Sequence, residues 1–337
     1  MPKEIFPFSK EVCKASYGLN CGTCKKCCSN PPALMFDEVY KYRHYLTPCL
    51  HLDFSPLSFF LSGFPASLHE EALAQFKKRY ILFSEKEKDG KPAGESGTFV
   101  FMPILAIDDF NADGMCCMFQ QGKCRLEDDK PLRCRALPLE GDMPECMLIY
   151  NLQYVQKKYH CKGLKIHPEP AEDCQLVYAD GKINCETDIG KACQTIYDGQ
   201  AKEHGLFMAF YNDMMKHHMF SYGLFEAVME KMKDTGKPIK IDLPFSYFLS
   251  FLDHTFALNP EHKDLPLPKG FTKENTTKYA QAQIALIEAR LIDLMALTER
   301  EKAKELLAYV NSLRTLCKQY ANYLHQRQVP VTSLFED

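Results

Sequence analysis

Residues 21–28 read CGTCKKCC, and this cysteine run is the feature around which we expect the chain to fold. A Cys-x-x-Cys loop lets two thiolates turn onto one ion, because the residues between them form a tight turn. Cys21, Cys24 and Cys27 repeat that spacing and supply three converging sulfurs. Cys28 directly follows Cys27 and cannot easily reach the same tetrahedral centre, so we expect it to serve a second metal or the opposite side of a cluster.

A second cysteine run follows later in the chain. Three sulfurs from one loop leave a coordination sphere incomplete, so the remaining ligand must come from distant sequence. The candidates are Cys116, Cys117, Cys124 and Cys134. The two runs together hold eight cysteines. That number suffices for two four-sulfur sites or for one cluster plus a zinc ion.

Composition and charge narrow the class of protein. The chain has 337 residues, enough for about two domains, and its 46% hydrophobic and 25% charged residues exclude a wholly disordered chain. A net charge of −3 does not argue for nucleic acid or an anionic membrane as partner. Residues 1–12 hold no apolar core of signal-peptide length, and no apolar stretch reaches the roughly 20 residues of a membrane helix. Sixteen cysteines without an export signal indicate metal binding in the cytoplasm rather than disulfides.

Hydrophobic periodicity predicts a mainly α-helical fold with a small irregular cysteine-rich metal-binding module, few short strands and a helical C-terminal half. The predicted helices cover residues 34–46, 70–83, 205–219, 220–233 and 245–256. Thr98–Ile107 is predicted to be an edge or bent strand because it contains Pro103. Residues 298–301 match a capping box between two long helices that form an antiparallel hairpin. We expect a cysteine-cluster module with helices at residues 1–165 and a mostly helical domain at residues 166–337.

The combined cysteine pattern resembles that of a bacterial family. The motifs C-x2-C-x2-C-C, C-x-F, C-R-L-E and K-P-x-x-C-R-x-x-P begin at Cys21, Cys117, Cys124 and Lys130. Their order is similar to that in the CxxCxxCC family of YkgJ-like cysteine-cluster proteins, which are described as zinc- or iron-chelating. Lys130 stands where the family usually has arginine. The resemblance covers about residues 13–165 and does not extend to the C-terminal half.

The resemblance implies a set of metal ligands and two supporting residues. It omits Cys116, because the family has one cysteine at that place. Arg135 is expected to donate hydrogen bonds to sulfur or backbone, and Pro131 to fix the turn that carries Cys134 inward. The implied ligands are Cys21, Cys24, Cys27, Cys28, Cys117, Cys124, Cys134 and Cys161.

The remaining cysteines are sparser. We expect the isolated ones to be ordinary structural thiols, and Cys317 to lie on the apolar stripe of a helix. Those isolated residues are Cys13, Cys49, Cys193 and Cys317. The spacing of Cys146, Cys174 and Cys185 is irregular, so their part in a second site stays open.

Two metal groups and three functions fit this pattern. Thiolates without histidine suit an iron–sulfur cluster, which the ferredoxin-like spacing favours, or Zn²⁺. The leading prediction is a metal-binding protein with a redox or electron-transfer role. One alternative is a structural zinc-site protein that binds a protein partner through its C-terminal helices, residues 272–328. The other is a protein-modifying enzyme similar to lysine N-methylases that act on flagellin. Whether the chain is an enzyme stays open.

Overall fold

The structure is a computed structural model, and it describes most of the chain. The described residues are 17–19, 33–62, 64–84, 97–107, 115–139, 141–158, 163–166, 175–216, 224–258, 267–295 and 303–331. Within these ranges, no helix combines the length and the apolar character needed to cross a bilayer.

Ten strands and ten α-helices make up the described part of the chain. The strands are β1 (Tyr17–Leu19), β2 (Pro48–Pro56), β3 (Ile81–Ser84), β4 (Thr98–Ile107), β5 (Phe119–Gln120), β6 (Lys123–Cys124), β7 (Leu164–Ile166), β8 (Gln175–Ala179), β9 (Lys182–Ile183) and β10 (Ile239–Pro244). The helices are α1 (Phe36–Val39), α2 (Leu57–Leu61), α3 (His69–Arg79), α4 (Leu132–Ala136), α5 (Leu148–Lys158), α6 (Asp188–Lys216), α7 (Leu224–Thr235), α8 (Phe245–Leu258), α9 (Lys273–Met295) and α10 (Ala303–Gln326).

An antiparallel sheet with the strand order β10-β2-β4-β3 lies at the centre of the fold. The strand predicted at Thr98–Ile107 is confirmed as β4, but it is an interior strand rather than an edge. Pro103 is tolerated there because β3 pairs with β4 only as far as Phe101, whereas Pro103 lies opposite Leu52 of β2. A missing backbone N–H therefore costs no bond to β3.

The other strands form two smaller units. A second antiparallel sheet has the order β7-β1-β8-β9, and β5 pairs with β6 in a separate hairpin. The prediction of a mainly α-helical fold with few short strands is therefore wrong, because two four-stranded sheets stand beside the helices. No separate irregular cysteine-rich module is evident among the described residues. The helical C-terminal half is confirmed.

Short strands paired with distant partners explain the incorrect fold class. β2 (PCLHLDFSP) is buried along most of its length, so it lacks the strict apolar–polar alternation of a half-exposed strand. The helix predicted at residues 70–83 ends at Arg79, and Ile81 begins β3. The helix predicted at residues 34–46 shortens to α1, because Leu34 pairs with Leu105 of β4 instead. Tertiary pairing overrode local periodicity at both places.

Two apolar cores lie on opposite faces of the central sheet. Leu50, Leu52 and Phe54 of β2 point into the first core, which contains the aromatic side chains of α8. Val100 and Met102 of β4 point into the second core, which α3, α5 and α6 complete. Alternate residues of each strand therefore bury opposite faces of the sheet. A sheet buried on both faces gives a rigid frame for the side chains around it.

The C-terminal helices form the predicted antiparallel hairpin. The Tyr279 ring of α9 lies 6.3 Å from the Tyr320 ring of α10, measured between centroids. Nearer the start of α9, Thr276 accepts a hydrogen bond from Arg327, just beyond the end of α10. The early part of one helix therefore faces the late part of the other. Both helices pack into the first core.

Candidate metal centre

Three of the eight predicted ligands lie in the described part of the chain. Cys117 precedes β5, Cys124 ends β6, and Cys134 lies in α4. The remaining five, Cys21, Cys24, Cys27, Cys28 and Cys161, lie outside the described residues. The approach of the first run to the second, on which the predicted cluster depends, therefore stays a prediction.

A tight hairpin connects Cys117 with Cys124. Phe119 pairs with Cys124 across β5 and β6. The two loop residues, Gln121 and Gly122, both have positive φ, 49° and 80°, which is the backbone of a type I′ turn. Glycine adopts that conformation at little cost, so the sequence closes the hairpin locally. The chain returns after the turn and brings Cys124 back alongside the segment that carries Cys117.

Cys117 is buried against a side chain from the C-terminal half. The Arg290 guanidinium of α9 donates a hydrogen bond from Nη2 to the Cys117 sulfur at 3.8 Å. The same guanidinium donates to the Tyr45 carbonyl oxygen at 2.7 Å and to Thr47 Oγ1 at 3.1 Å. Three donor contacts fix the orientation of this planar group. Cys117 therefore lies beside a positive charge whose position is fixed by other hydrogen bonds.

The neighbouring Cys116 shares a hydrogen bond with Cys117. That bond lowers the pKa of Cys116 to about 7, because the Cys117 thiol stabilises the neighbouring thiolate. Both side chains are 9% exposed. The pair therefore loses its first proton more readily than an isolated thiol does. Thiolate is the form of cysteine that binds metals and reacts as a nucleophile.

Cys134 lies in the short helix α4. Pro131 directly precedes the helix, at the place predicted for the turn. The Leu132 amide at the start of α4 donates to Glu38 Oε1 at 2.9 Å. The predicted supporting residue Arg135 is exposed, whereas Arg133, on the other side of Cys134, is mostly buried. Arg133 anchors the helix through Asp142, and the hydrogen bonds predicted from Arg135 to sulfur or backbone stay a prediction.

Arg133 belongs to a buried polar network that fixes α4 against α3 and α6. Its Nη1 lies 2.5 Å from Asp142 Oδ2. Gln200 and Tyr80 donate to Asp142 Oδ1 at 2.9 Å and 3.3 Å. Arg79 donates to Gln200 at 3.1 Å. Burial by itself would raise the pKa of Asp142, but the charge and hydrogen bond of Arg133 outweigh it and lower that pKa below its ordinary value.

Glu203 of α6 lies near the same network and titrates in the neutral range. Its side chain is 7% exposed and accepts a hydrogen bond from the Asp37 amide at 3.4 Å. Burial raises the pKa of Glu203 to about 8, and the Asp37 carboxylate adds to the shift. The folded protein therefore holds this carboxyl protonated at pH values where an exposed glutamate is ionised.

Replacing Glu203 with glutamine should remove a pH dependence of stability. The folded-state pKa lies above the ordinary value of 4.5, so the native state binds this proton more tightly. The protonated Glu203 carboxyl therefore stabilises the folded state. This contribution to the free energy of unfolding is fully present below about pH 4.5 and is lost as the pH rises to about 8. Between pH 5 and 8 we expect Glu203→Gln to gain up to a few kcal/mol relative to wild type, measured by urea unfolding. Glu230→Gln, an exposed change on α7, is the control, and a pH-independent difference for Glu203→Gln would contradict the prediction.

The other described cysteines form no disulfide and lie in varied surroundings. Cys193 and Cys317 are buried in the second and first cores, which agrees with the structural role predicted for them. Cys146 is also buried in the second core, and burial raises its pKa to about 12. Cys185 is exposed, and Cys49 of β2 donates to the Leu243 carbonyl oxygen at 3.3 Å. Cys13 and Cys174 lie outside the described residues.

The described donors do not complete a metal site by themselves. Among the described residues, no group of three His, Cys, Asp or Glu side chains could hold a metal ion. The structure therefore does not bring Cys117, Cys124 and Cys134 together as one three-sulfur group, and a centre of the predicted kind depends on ligands outside the described residues. What the described residues supply is Cys117 beside the partly buried guanidinium of Arg290, and Cys134 in a helix that Arg133 anchors.

Sequence reasoning missed Arg290 and Arg133. Arg290 lies far from the cysteine runs in sequence, and its contact with Cys117 depends on how α9 packs on the segment before β2. Arg133 and Arg135 flank the same cysteine, so only the direction of a five-residue helix decides which one is buried. No signal in the sequence distinguishes them.

Comparisons with known proteins do not assign the chain to a family. No protein-family model matches it. No curated protein and no solved structure matches it significantly. The resemblance of the cysteine runs to the CxxCxxCC family therefore stays a prediction from the sequence.

Proposed function

We propose that this chain binds a metal group through cysteine thiolates. The observation that carries the proposal is the hairpin β5–β6, which holds Cys117 and Cys124 in one local unit and presents Cys117 to the Arg290 guanidinium. The proposed ligands are Cys21, Cys24, Cys27, Cys28, Cys117, Cys124, Cys134 and Cys161.

The Arg290 contact at Cys117 acts against two influences that raise the pKa of that thiol, the hydrogen bond with Cys116 and burial. A thiolate must lose its proton before it binds a metal, and a positive charge at hydrogen-bond distance lowers the free energy of the charged form. Arg290 supplies that charge, whereas the hydrogen bond that lowers the pKa of Cys116 raises the pKa of Cys117. A cluster of several thiolates concentrates negative charge, and a partly buried guanidinium beside one of them would offset part of the free-energy cost of that charge.

An iron–sulfur cluster is the metal group that we prefer, ahead of zinc. The spacing of Cys21, Cys24 and Cys27 repeats that of cubane-binding runs, and no histidine accompanies them. When bound, such a cluster would supply electron transfer. The chain's own residues would orient its ligands, through Arg290 at Cys117 and through Arg133 in the helix of Cys134. We also propose a cytoplasmic location, because the described cysteines form no disulfide and the cytoplasm keeps thiols reduced.

Anaerobic purification with metal analysis tests the proposal. We expect broad visible absorption together with iron and acid-labile sulfide in stoichiometric amounts. A colourless protein that holds stoichiometric zinc would support the proposed metal binding, but it would favour the structural zinc alternative over a cluster. Protein that contains neither metal, and that takes up neither after anaerobic reconstitution, would contradict the proposed function.

We also propose that the C-terminal hairpin α9–α10 binds a protein partner. Ile292 of α9 and Leu307 of α10 are exposed large apolar side chains on the C-terminal hairpin, at 52% and 57% exposure. These exposed apolar side chains support the proposed contact surface on the two helices.

A further inference from the structure

Strand β10 forms one edge of the central sheet. Its inner side pairs with β2 over all six residues, Ile239–Pro244. Among the described residues, no strand pairs with its outer side. None of the six residues is fully buried, and Lys240 and Asp242 are exposed. The outer side of an edge strand presents backbone N–H and C=O groups, so this edge can accept a further strand.

The two faces of β10 differ in chemistry. Ile239, Ile241 and Leu243 pack against the first core but are only partly buried. Lys240 and Asp242 lie on the opposite face, because successive side chains of a strand alternate. They keep 46% and 58% of their side-chain surface exposed, and Lys240 Nζ lies 3.4 Å from Asp242 Oδ1. The strand therefore carries a partly covered apolar row on one face and a pair of opposite charges on the other.

The order of these charges makes β10 complementary to a second copy of itself. When two copies pair antiparallel about a twofold axis at Ile241, Lys240 of each copy lies opposite Asp242 of the other. An axis at Lys240 or at Asp242 would instead place like charges opposite each other, which is unfavourable. A shift of the pairing by one residue would place the charged face of one copy beside the core face of the other. Of these registers, only the one centred on Ile241 suits both the charges and the core.

The same charges disfavour most other strands. Exposed charged residues, and lysine in particular, commonly protect edge strands, because a chance partner strand would have to desolvate them. In the self-pairing, each charge gains an opposite charge from the other copy. Lys240 and Asp242 therefore favour a copy of the same strand and disfavour strands that lack this pattern.

We propose that the chain forms a symmetric dimer through antiparallel pairing of β10 with β10 of a second copy. The two four-stranded central sheets then become one continuous sheet, and the apolar rows of the two copies extend each other on one face. The strand contact contains six residues from each copy, so it belongs among small interfaces, which are typically weak. This dimer requires none of the proposed metal ligands.

Analytical ultracentrifugation of charge variants of the full chain tests the dimer. We expect wild type to be a monomer near about 1 µM and to dimerise increasingly toward about 100 µM, as a weak interface does. Lys240→Glu and Asp242→Lys each place like charges opposite at both symmetric positions. Each substitution should therefore weaken dimerisation by about tenfold or more.

Mixing the two variants tests the register directly. The strand of Lys240→Glu carries two negative charges and that of Asp242→Lys carries two positive charges, so a mixed pair has opposite charges at both positions. An equimolar mixture should form heterodimers at concentrations at which each variant alone is a monomer. The double variant, Lys240→Glu with Asp242→Lys, restores one charge of each sign and should dimerise within about threefold of wild type.

Lys231→Glu is the matched control, because it makes the same change of charge at an exposed position of α7, outside the strand. It should leave the dimerisation constant within about twofold at about 0.15 M salt, where distant surface charges are screened. Hydrogen exchange of wild type gives a readout without any substitution. The backbone amides of residues 239–243 should exchange more slowly at high protein concentration than at low concentration.

Three results would overturn the dimer. The first is a wild type that stays monomeric up to about 100 µM, with exchange in β10 independent of concentration. The second is a mixture of the two folded single variants that does not associate. The third is a Lys231→Glu variant that loses dimerisation as strongly as Lys240→Glu does. If circular dichroism shows that a strand variant does not fold, the hydrogen exchange of wild type decides.

Discussion

Replacing Asp142 with alanine should lower the free energy of unfolding by about 3 kcal/mol, because it leaves Arg133 without its counter-charge in a buried place. Breaking a buried ion pair by removing one partner typically costs about 3–5 kcal/mol. We expect the lower end, since the Asp142 side chain keeps 26% of its surface exposed while that of Arg133 keeps 12%. The change also removes the Asp142 Oδ1 acceptor of the Gln200 side chain, whereas the Tyr80 hydroxyl keeps the Asp142 carbonyl oxygen at 3.0 Å.

Urea unfolding at pH 7 measures this cost. Asp198→Ala is the control, because Asp198 lies exposed on α6 and should change the unfolding free energy by no more than about 0.5 kcal/mol. The double replacement of Arg133 by methionine and Asp142 by leucine should recover much of the loss, since no unpaired charge remains. A single Asp142→Ala variant within 1 kcal/mol of wild type, on the order of a surface change, would contradict the prediction.

Removing a ligand should have the largest effect of all. We expect Cys24→Ser and Cys134→Ser to lose metal and to fold poorly, because the binding free energy of a structural metal belongs to folding and reaches about 10 kcal/mol or more for zinc in small domains. Elemental analysis and circular dichroism of anaerobically purified variants measure both consequences. A hydroxyl has nearly the size of a thiol, so packing alone would not explain the loss.

Cys317→Ser provides the comparison for the ligand variants. Cys317 is buried at 2% exposure in the first core, where it packs as a small apolar group. Its replacement should leave the metal content unchanged while lowering stability modestly. Loss of metal from Cys317→Ser, or full metal content in Cys134→Ser, would show that the proposed ligand set is wrong.

The helical half of the fold was predictable because its signals are local. α8 and the hairpin α9–α10 present apolar residues every three or four positions over long stretches, so periodicity identifies them. β2 and β10 are different, since each is short and acquires its conformation from a partner far away in sequence. Their apolar residues do not distinguish a buried strand from part of a helix. The fold class was therefore wrong where distant pairing decides the structure.

In the candidate metal centre, too, the features with a local sequence signal were predictable and those that depend on tertiary packing were not. Spacing alone identifies cysteines that can act together, because thiolate chemistry is tied to residue type and to short turns. The turn at Gln121 and Gly122 also has a local origin, because glycine adopts a positive φ at little cost. Arg290 and the partnership of Arg133 with Asp142 were not predictable, because neither arginine carries a pattern that distinguishes it from an exposed one. Tertiary packing alone places them.

The pairing of β2 with β10 has a consequence for synthesis on the ribosome. Cys49 and Leu243, which contact each other across these strands, are 194 positions apart in the sequence. The nascent chain must therefore wait for most of its length to emerge before one side of β2 gains its neighbour. Until then that side presents unpaired backbone N–H and C=O groups, which can pair with other chains. A fragment that stops before residue 239 would carry this exposed border permanently.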